Sequence, residues 1–115
     1  MLKQMRLAGS EKALCGLFNA LSAQSRVRIL GQLAGGALCV GALSRRLGLS
    51  AGAVSQHLNV LRKAGLVKAV RRGYFMHYRA APDAMARCRG ALNALFARKR
   101  DKKGGSLCAR EKRSA

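Results

Sequence analysis

The sequence predicts a mainly α-helical domain, about five helices with one small two-stranded β-hairpin. Apolar residues recur at helical spacing along most of the chain, and glycines punctuate it at Gly48 and Gly65. Between residues 67 and 79 the period drops from 3.6 to 2. At 115 residues, half of them hydrophobic, the chain fits one compact domain and leaves no room for a second. We divide it into an N-terminal arm (1–10), the domain itself (11–97) and a basic tail (98–115), whose charge and scarcity of apolar residues predict mobility.

The first helix is expected to open at Ser10 as cap, with Glu11 in its first turn, and to bury Leu14, Leu17, Phe18 and Leu21. Ser22 or Ser25 is expected to cap the second, which buries Ile29, Leu30 and Leu33 before Gly35 and Gly36 stop it. A third starts near Cys39 and runs through Leu43 and Leu47. Gly48 then accepts the left-handed backbone that ends it, and Ser50 caps the fourth, which Gly65 terminates. Val67, Ala69, Tyr74, Met76 and Tyr78 alternate against Lys68, Phe75, His77 and Arg79, which makes a hairpin with Arg72-Gly73 at its turn. Pro82 and Asp83 restart a last helix, lined on one side by Met85, Cys88, Leu92, Leu95 and Phe96.

Residues 44–67, SRRLGLSAGAVSQHLNVLRKAGLV, thus form two short helices around a tight turn, the layout of a helix-turn-helix DNA reader. On the second, Val54, Leu58 and Leu61 share one face, while Gly52, Ser55, Gln56, Asn59 and Lys63 share the other. Charge agrees with a polyanionic partner: the net charge is +19, and between Glu11 and Asp83 eleven Lys and Arg occur with no Asp or Glu. Gln56 can pair bidentately with an adenine edge and Ser55 can bond a base or a phosphate. Arg45, Arg46, Arg62 and Lys63 anchor the backbone, and Arg71 and Arg72 sit at the tip of the hairpin.

Other classes find little support. No apolar run approaches the roughly 20 residues that span a bilayer. The N-terminus lacks the apolar core of a secretory signal, so a cytoplasmic location and reduced thiols are expected. Cys15, Cys39, Cys88 and Cys108 form no CxxC pair, and neither a phosphate loop nor a catalytic constellation is present, so no enzyme and no required cofactor are expected. A non-specific architectural DNA-binding protein is the main rival, because such charge binds any duplex through counterion release.

The segments at residues 17–30 (LFNALSAQSRVRIL), 38–43 (LCVGAL), 47–67 and 71–79 (RRGYFMHYR) together resemble the ArsR/SmtB family of winged helix-turn-helix repressors. The resemblance implies a homodimer on an inverted-repeat operator, paired through the first and last helices, that leaves DNA when an inducer binds. It makes Gly52, Ser55, Gln56 and His57 the DNA-facing residues, with the wing arginines at the backbone or minor groove. Leu14, Leu17, Met85, Cys88, Leu92, Leu95 and Phe96 become candidate dimer contacts. The family's arsenic motif falls on Cys39, Gly41 and Ser44, so one thiol of three remains. As(III) or Sb(III) on Cys39 would then need help from Cys15, Cys88 or Cys108, of which Cys108, with Cys15, is the set expected, since Cys88 lies on the apolar stripe. The same thiols could instead form a redox or persulfide switch. A zinc site on the last helix is not expected, since only Asp83 and no His is available there. Gln24, Ala51 and Tyr74 depart from the family pattern, where a proline, a glutamine and a basic residue are usual.

Overall fold

The computed structural model describes the backbone of residues 2–97 and the side chains of residues 11–97. Cys108 and the tail lie outside the described residues. In chain order the elements are α1 (Leu2–Leu21), α2 (Gln24–Leu33), β1 (Leu38–Cys39), α3 (Val40–Leu47), α4 (Ala51–Lys63), β2 (Val67–Arg72), β3 (Phe75–Ala80) and α5 (Ala84–Phe96).

The helical stripes converge on one core. Ile29 and Leu33 of α2, Leu43 and Leu47 of α3, and Val54, Leu58 and Leu61 of α4 are buried, with Leu66, Val67 and Ala81 closing it from the sheet side. Full burial of side chains such as Ile29, Leu43, Leu58 and Leu61 stabilises by about 2 kcal/mol each before conformational entropy is counted. No charged or polar residue is buried among the described residues, so every arginine and lysine there reaches the surface.

Three local expectations about the helices are corrected. α1 starts at Leu2, so Ser10 lies inside a helix that also takes in residues 2–10 of the stretch read as an arm. On α1 Leu14 and Leu17 are buried as expected and Ala20, 1% exposed, joins Leu17 in the core, whereas Phe18 remains 44% exposed. Neither serine caps α2: its N-cap is Ala23 without a side-chain bond, and the Ser22 hydroxyl donates instead to the Asn19 carbonyl at 2.7 Å. The third helix starts where expected, at Val40 with Cys39 as its N-cap, and Leu38 and Cys39 are in addition held in a strand.

That strand makes the sheet three-stranded and antiparallel, in the order β1-β3-β2. Leu38 pairs with Tyr78 and Cys39 with His77, which joins the base of the hairpin to the entry of α3. In the hairpin Val67 faces Ala80 and Arg72 faces Phe75, so the loop is Gly73-Tyr74, one residue later than the sequence suggests. Gly73 has φ +61°, and among the described residues no non-glycine has positive φ, the combination a two-residue type II′ turn requires.

Candidate nucleic-acid interface

Two left-handed glycines fix the reading helix in place. At Gly48, φ +68°, the amides of Gly48 and Leu49 both return to the Ser44 carbonyl at 2.9 and 3.2 Å. Ser44 also donates its hydroxyl to the Leu49 carbonyl, tightening the turn. Ser50 then accepts from the Ala53 amide at 3.1 Å, capping α4 as expected. At the other end Gly65, φ +79°, completes a Schellman motif: Leu66 N–H donates to Leu61 and Gly65 N–H to Arg62, each at 2.9 Å. Arg87 of α5 donates to the Gly65 carbonyl while its Nε pairs with Asp83 at 3.2 Å.

With Val54, Leu58 and Leu61 turned inward, α4 exposes Gly52, Ser55, Gln56, Asn59 and Lys63. A Cβ on Gly52 would meet nothing within 4 Å, so the chain's own packing does not require glycine there. It leaves bare backbone in the first turn of the helix, where a phosphate or base edge could come close. Asn59 accepts from Arg62 Nη2 at 2.9 Å, an exposed pair that orients the guanidinium along the same helix. Arg45 and Arg46 are exposed on the last turn of α3, and Arg46 reaches Gln32 at 3.3 Å.

His57 is half-buried, and its Nδ1 lies 3.4 Å from Nη1 of Arg26. Because a guanidinium only donates, Nδ1 is the acceptor in this contact. The sequence could not show this contact, which ties His57 to α2 and leaves it at the rim of the exposed face.

The hairpin adds a second cationic element. Arg71 and Arg72 are exposed beside the loop, as expected. Lys68 and Arg79 stand directly opposite each other across the ladder, both exposed. Like charges in that relation are destabilising in the isolated chain, and a polyanion relieves them. The sequence reading did not single out this pair, though the hairpin register alone is enough to find it.

The three thiols among the described residues lie on three different elements. Cys39 is half-buried at the start of α3, beside His77 in the β1–β3 ladder. His77 Nδ1 is buried and has no hydrogen-bond partner among the described residues. Cys15 is exposed on α1 and Cys88 is half-buried on α5, packed against the core. Ser44, at a motif position, is committed to the turn. Among the described residues no three His, Cys, Asp or Glu side chains gather closely enough to hold a metal ion.

Helices α1 and α5 enclose an apolar groove lined by Leu14, Leu17, Ala91, Ala94 and Leu95. Leu14 and Leu17 are buried within the chain, Leu92 and Cys88 are half-buried, and Met85, Leu95 and Phe96 are exposed, Phe96 at 82%. Among the described residues no helix is long and apolar enough to cross a membrane.

Comparison with known proteins agrees with this geometry. The model of the family "Bacterial regulatory protein, arsR family" matches residues 23–69, from the start of α2 into β2. The HTH-type transcriptional regulator CmtR of Mycobacterium tuberculosis is 42% identical over 82 residues, 71% of this chain and 70% of CmtR. Across the curated relatives NolR and CmtR the chain spans 66% and 70% of their length. An ArsR-like transcriptional regulator from Rhodococcus sp. RHA1 superposes with a TM-score of 0.73 at 30% identity, covering 93% of this chain and 96% of that one. A homodimeric winged helix-turn-helix DNA-binding domain from Mycobacterium bovis, a possible ArsR-family regulator, has a TM-score of 0.67 at 29% identity, over 80% and 85% of the two chains. Fold and family are those of DNA-binding transcriptional regulators and not of enzymes, and the chain belongs to the ArsR family.

Proposed function

We propose that this protein is a dimeric, sequence-specific transcriptional repressor that leaves its operator when a thiol-seeking inducer binds. The observation that carries the DNA reading is the exposed face of α4: small and amide side chains at Gly52, Ser55, Gln56 and Asn59, flanked by cations with no acid between Glu11 and Asp83. Gln56 and Ser55 read base edges while Arg45, Lys63, Arg71 and Arg72 hold phosphates. The exposed Met85, Leu95 and Phe96, with Phe18 on α1, supply the apolar surface for a second copy.

For the inducer we propose arsenite or antimonite on Cys39, completed by Cys108 and Cys15. What supports it is position: Cys39 ends β1 and caps α3, the helix that leads into the α4 turn, so a ligand there bears on the reading helix. A second reading makes Cys39 a redox or persulfide switch. It is favoured by the half-buried thiol beside the His77 ring, since modification of one sulfur needs no further ligand.

Hydroxyl-radical footprinting of the full chain on a duplex from upstream of its own gene tests the reading. Two protected half-sites about one helical turn apart, in symmetric register, are expected of a dimer carrying two α4 helices. Uniform protection along the duplex would indicate a non-specific binder.

A further inference from the structure

The wing carries an apolar tip that neither the core nor the α1/α5 face explains. Six consecutive residues from Arg71 to Met76 are exposed. Three of them are large and apolar: Tyr74 at 98% exposure, Phe75 at 64% and Met76 at 40%. β1 braces β3 only at His77 and Tyr78, so the ribbon beyond that point has no third strand. At about 3.3 Å per residue, the three steps from His77 to Tyr74 carry the apex roughly 10 Å beyond the last position braced by β1. Arg72 stands opposite Phe75 and Arg71 opposite Met76, so these two apolar side chains each have a guanidinium neighbour across the ladder, while Tyr74 stands in the turn. Gly73, φ +61°, presents Tyr74 at the apex, and a Cβ on Gly73 would meet nothing within 4 Å.

An aromatic apex with two consecutive arginines at its foot on β2, on a hairpin whose stem opposes Lys68 to Arg79, is complementary to a polyanion with an apolar interior. Duplex DNA seen from its minor groove is such a surface: phosphates line the rims, and the stacked bases lie within reach of an apolar side chain. We infer that Tyr74 and Phe75 form a wedge that enters the minor groove and partly unstacks a base step, while Arg71 and Arg72 clamp the phosphates on either side. The inference rests on the DNA-binding reading and adds to it. The wing then contributes specificity by deformability, favouring the easily unstacked pyrimidine–purine steps at the place it lands, independently of the base edges read by α4.

The chain provides its own optical reporter, having two tyrosines and no tryptophan. Tyr78 packs against the core, so Tyr74 is the tyrosine that can meet DNA. The experiment titrates the full chain with a duplex from upstream of its own gene carrying 2-aminopurine at successive pyrimidine–purine steps, following tyrosine and 2-aminopurine emission together. Wild type is expected to lose Tyr74 emission on stacking and to raise 2-aminopurine emission at one position in each half-site. The Tyr74→Ser/Phe75→Ser variant should lose both signals and bind about tenfold or more weakly, with an unchanged salt slope. Arg71→Ala/Arg72→Ala should do the opposite, lowering the salt slope by about 0.9 per lost phosphate contact while retaining the emission changes.

Full tyrosine and 2-aminopurine signals in the serine variant, or equal affinity of that variant and wild type, would overturn the wedge. Equal signals on the upstream and a shuffled duplex would remove operator specificity and leave the wedge standing, so the two readings fail separately. Absence of any duplex binding by wild type would overturn both. Loss of binding to phosphatidylglycerol vesicles by the serine variant, with duplex binding intact, would assign the tip to a membrane surface instead.

Discussion

Arg26 of α2 joins the end of α1 to His57 of the reading helix. Its Nε and Nη2 donate to the Ala20 and Asn19 carbonyls at 2.6 and 3.1 Å, and its Nη1 lies 3.4 Å from His57 Nδ1. One half-buried guanidinium thus satisfies terminal carbonyls of α1 and fixes a residue of α4. Arg26→Ala takes the Nε–H donor from the Ala20 carbonyl, leaves the Asn19 carbonyl to Ser22 alone and releases the His57 ring. We expect a loss of about 2 kcal/mol in denaturant unfolding, with weaker duplex binding. Arg26→Lys should restore little, because an ammonium cannot fork to two carbonyls and a ring nitrogen. Wild-type stability in both variants would remove the link.

Gly48 and Gly65 share a left-handed backbone but differ in surroundings. A Cβ at Gly48 meets open space, whereas at Gly65 it would stand 3.0 Å from Arg87 Nη1. Gly48→Ala should therefore cost about 1 kcal/mol, the backbone penalty alone, and Gly65→Ala distinctly more. Repeating Gly65→Ala in an Arg87→Ala background measures the difference. The excess is expected to vanish there, and an unchanged cost would place it elsewhere.

Much of the reading unit was legible in the sequence because its punctuation is local. A glycine that needs positive φ, a serine that reaches its own helix and an i, i+4 stripe are all decided within a few residues, and Gly48, Ser50, Gly65 and the Val54–Leu58–Leu61 face stand where they were expected. What escaped was non-local. Strand β1 exists only because β3 lies alongside Leu38 and Cys39, and the helical and hairpin patterns gave no sign of it. The same holds for Arg26 on His57, separated by 31 residues, and for His77 beside Cys39. Phe18 was misjudged because periodicity gives a helix its apolar side but not how much of that side the same chain covers.

Base reading and phosphate anchoring should separate by mutation. Gln56→Ala is expected to lower affinity for the upstream duplex by about 5- to 150-fold, the worth of one bidentate base pair, and to leave affinity for a shuffled duplex nearly unchanged. Arg45→Ala should weaken both duplexes equally. Anisotropy titrations of both variants on both duplexes give the comparison. Equal losses from Gln56→Ala on the two would take Gln56 out of base reading.

For the inducer, Cys39→Ser is expected to bind the upstream duplex as wild type does and to resist release by arsenite, whereas Cys88→Ser should respond normally. Release of the Cys39→Ser protein at wild-type arsenite concentrations would reject this thiol site. Release by polysulfide or peroxide, with arsenite inert on the wild type, would select the redox or persulfide switch.

The central claim, that the exposed face of α4 reads a particular sequence, is tested most directly by fluorescence anisotropy of the reduced full chain on duplex from upstream of its own gene. The comparison is a shuffled duplex of the same composition at about 0.15 M salt, where long-range charge contacts are partly screened. A preference of about a thousandfold or more for the upstream duplex is the result expected of a sequence-specific repressor. Equal affinity for the two would contradict it and make the protein a binder of DNA charge alone.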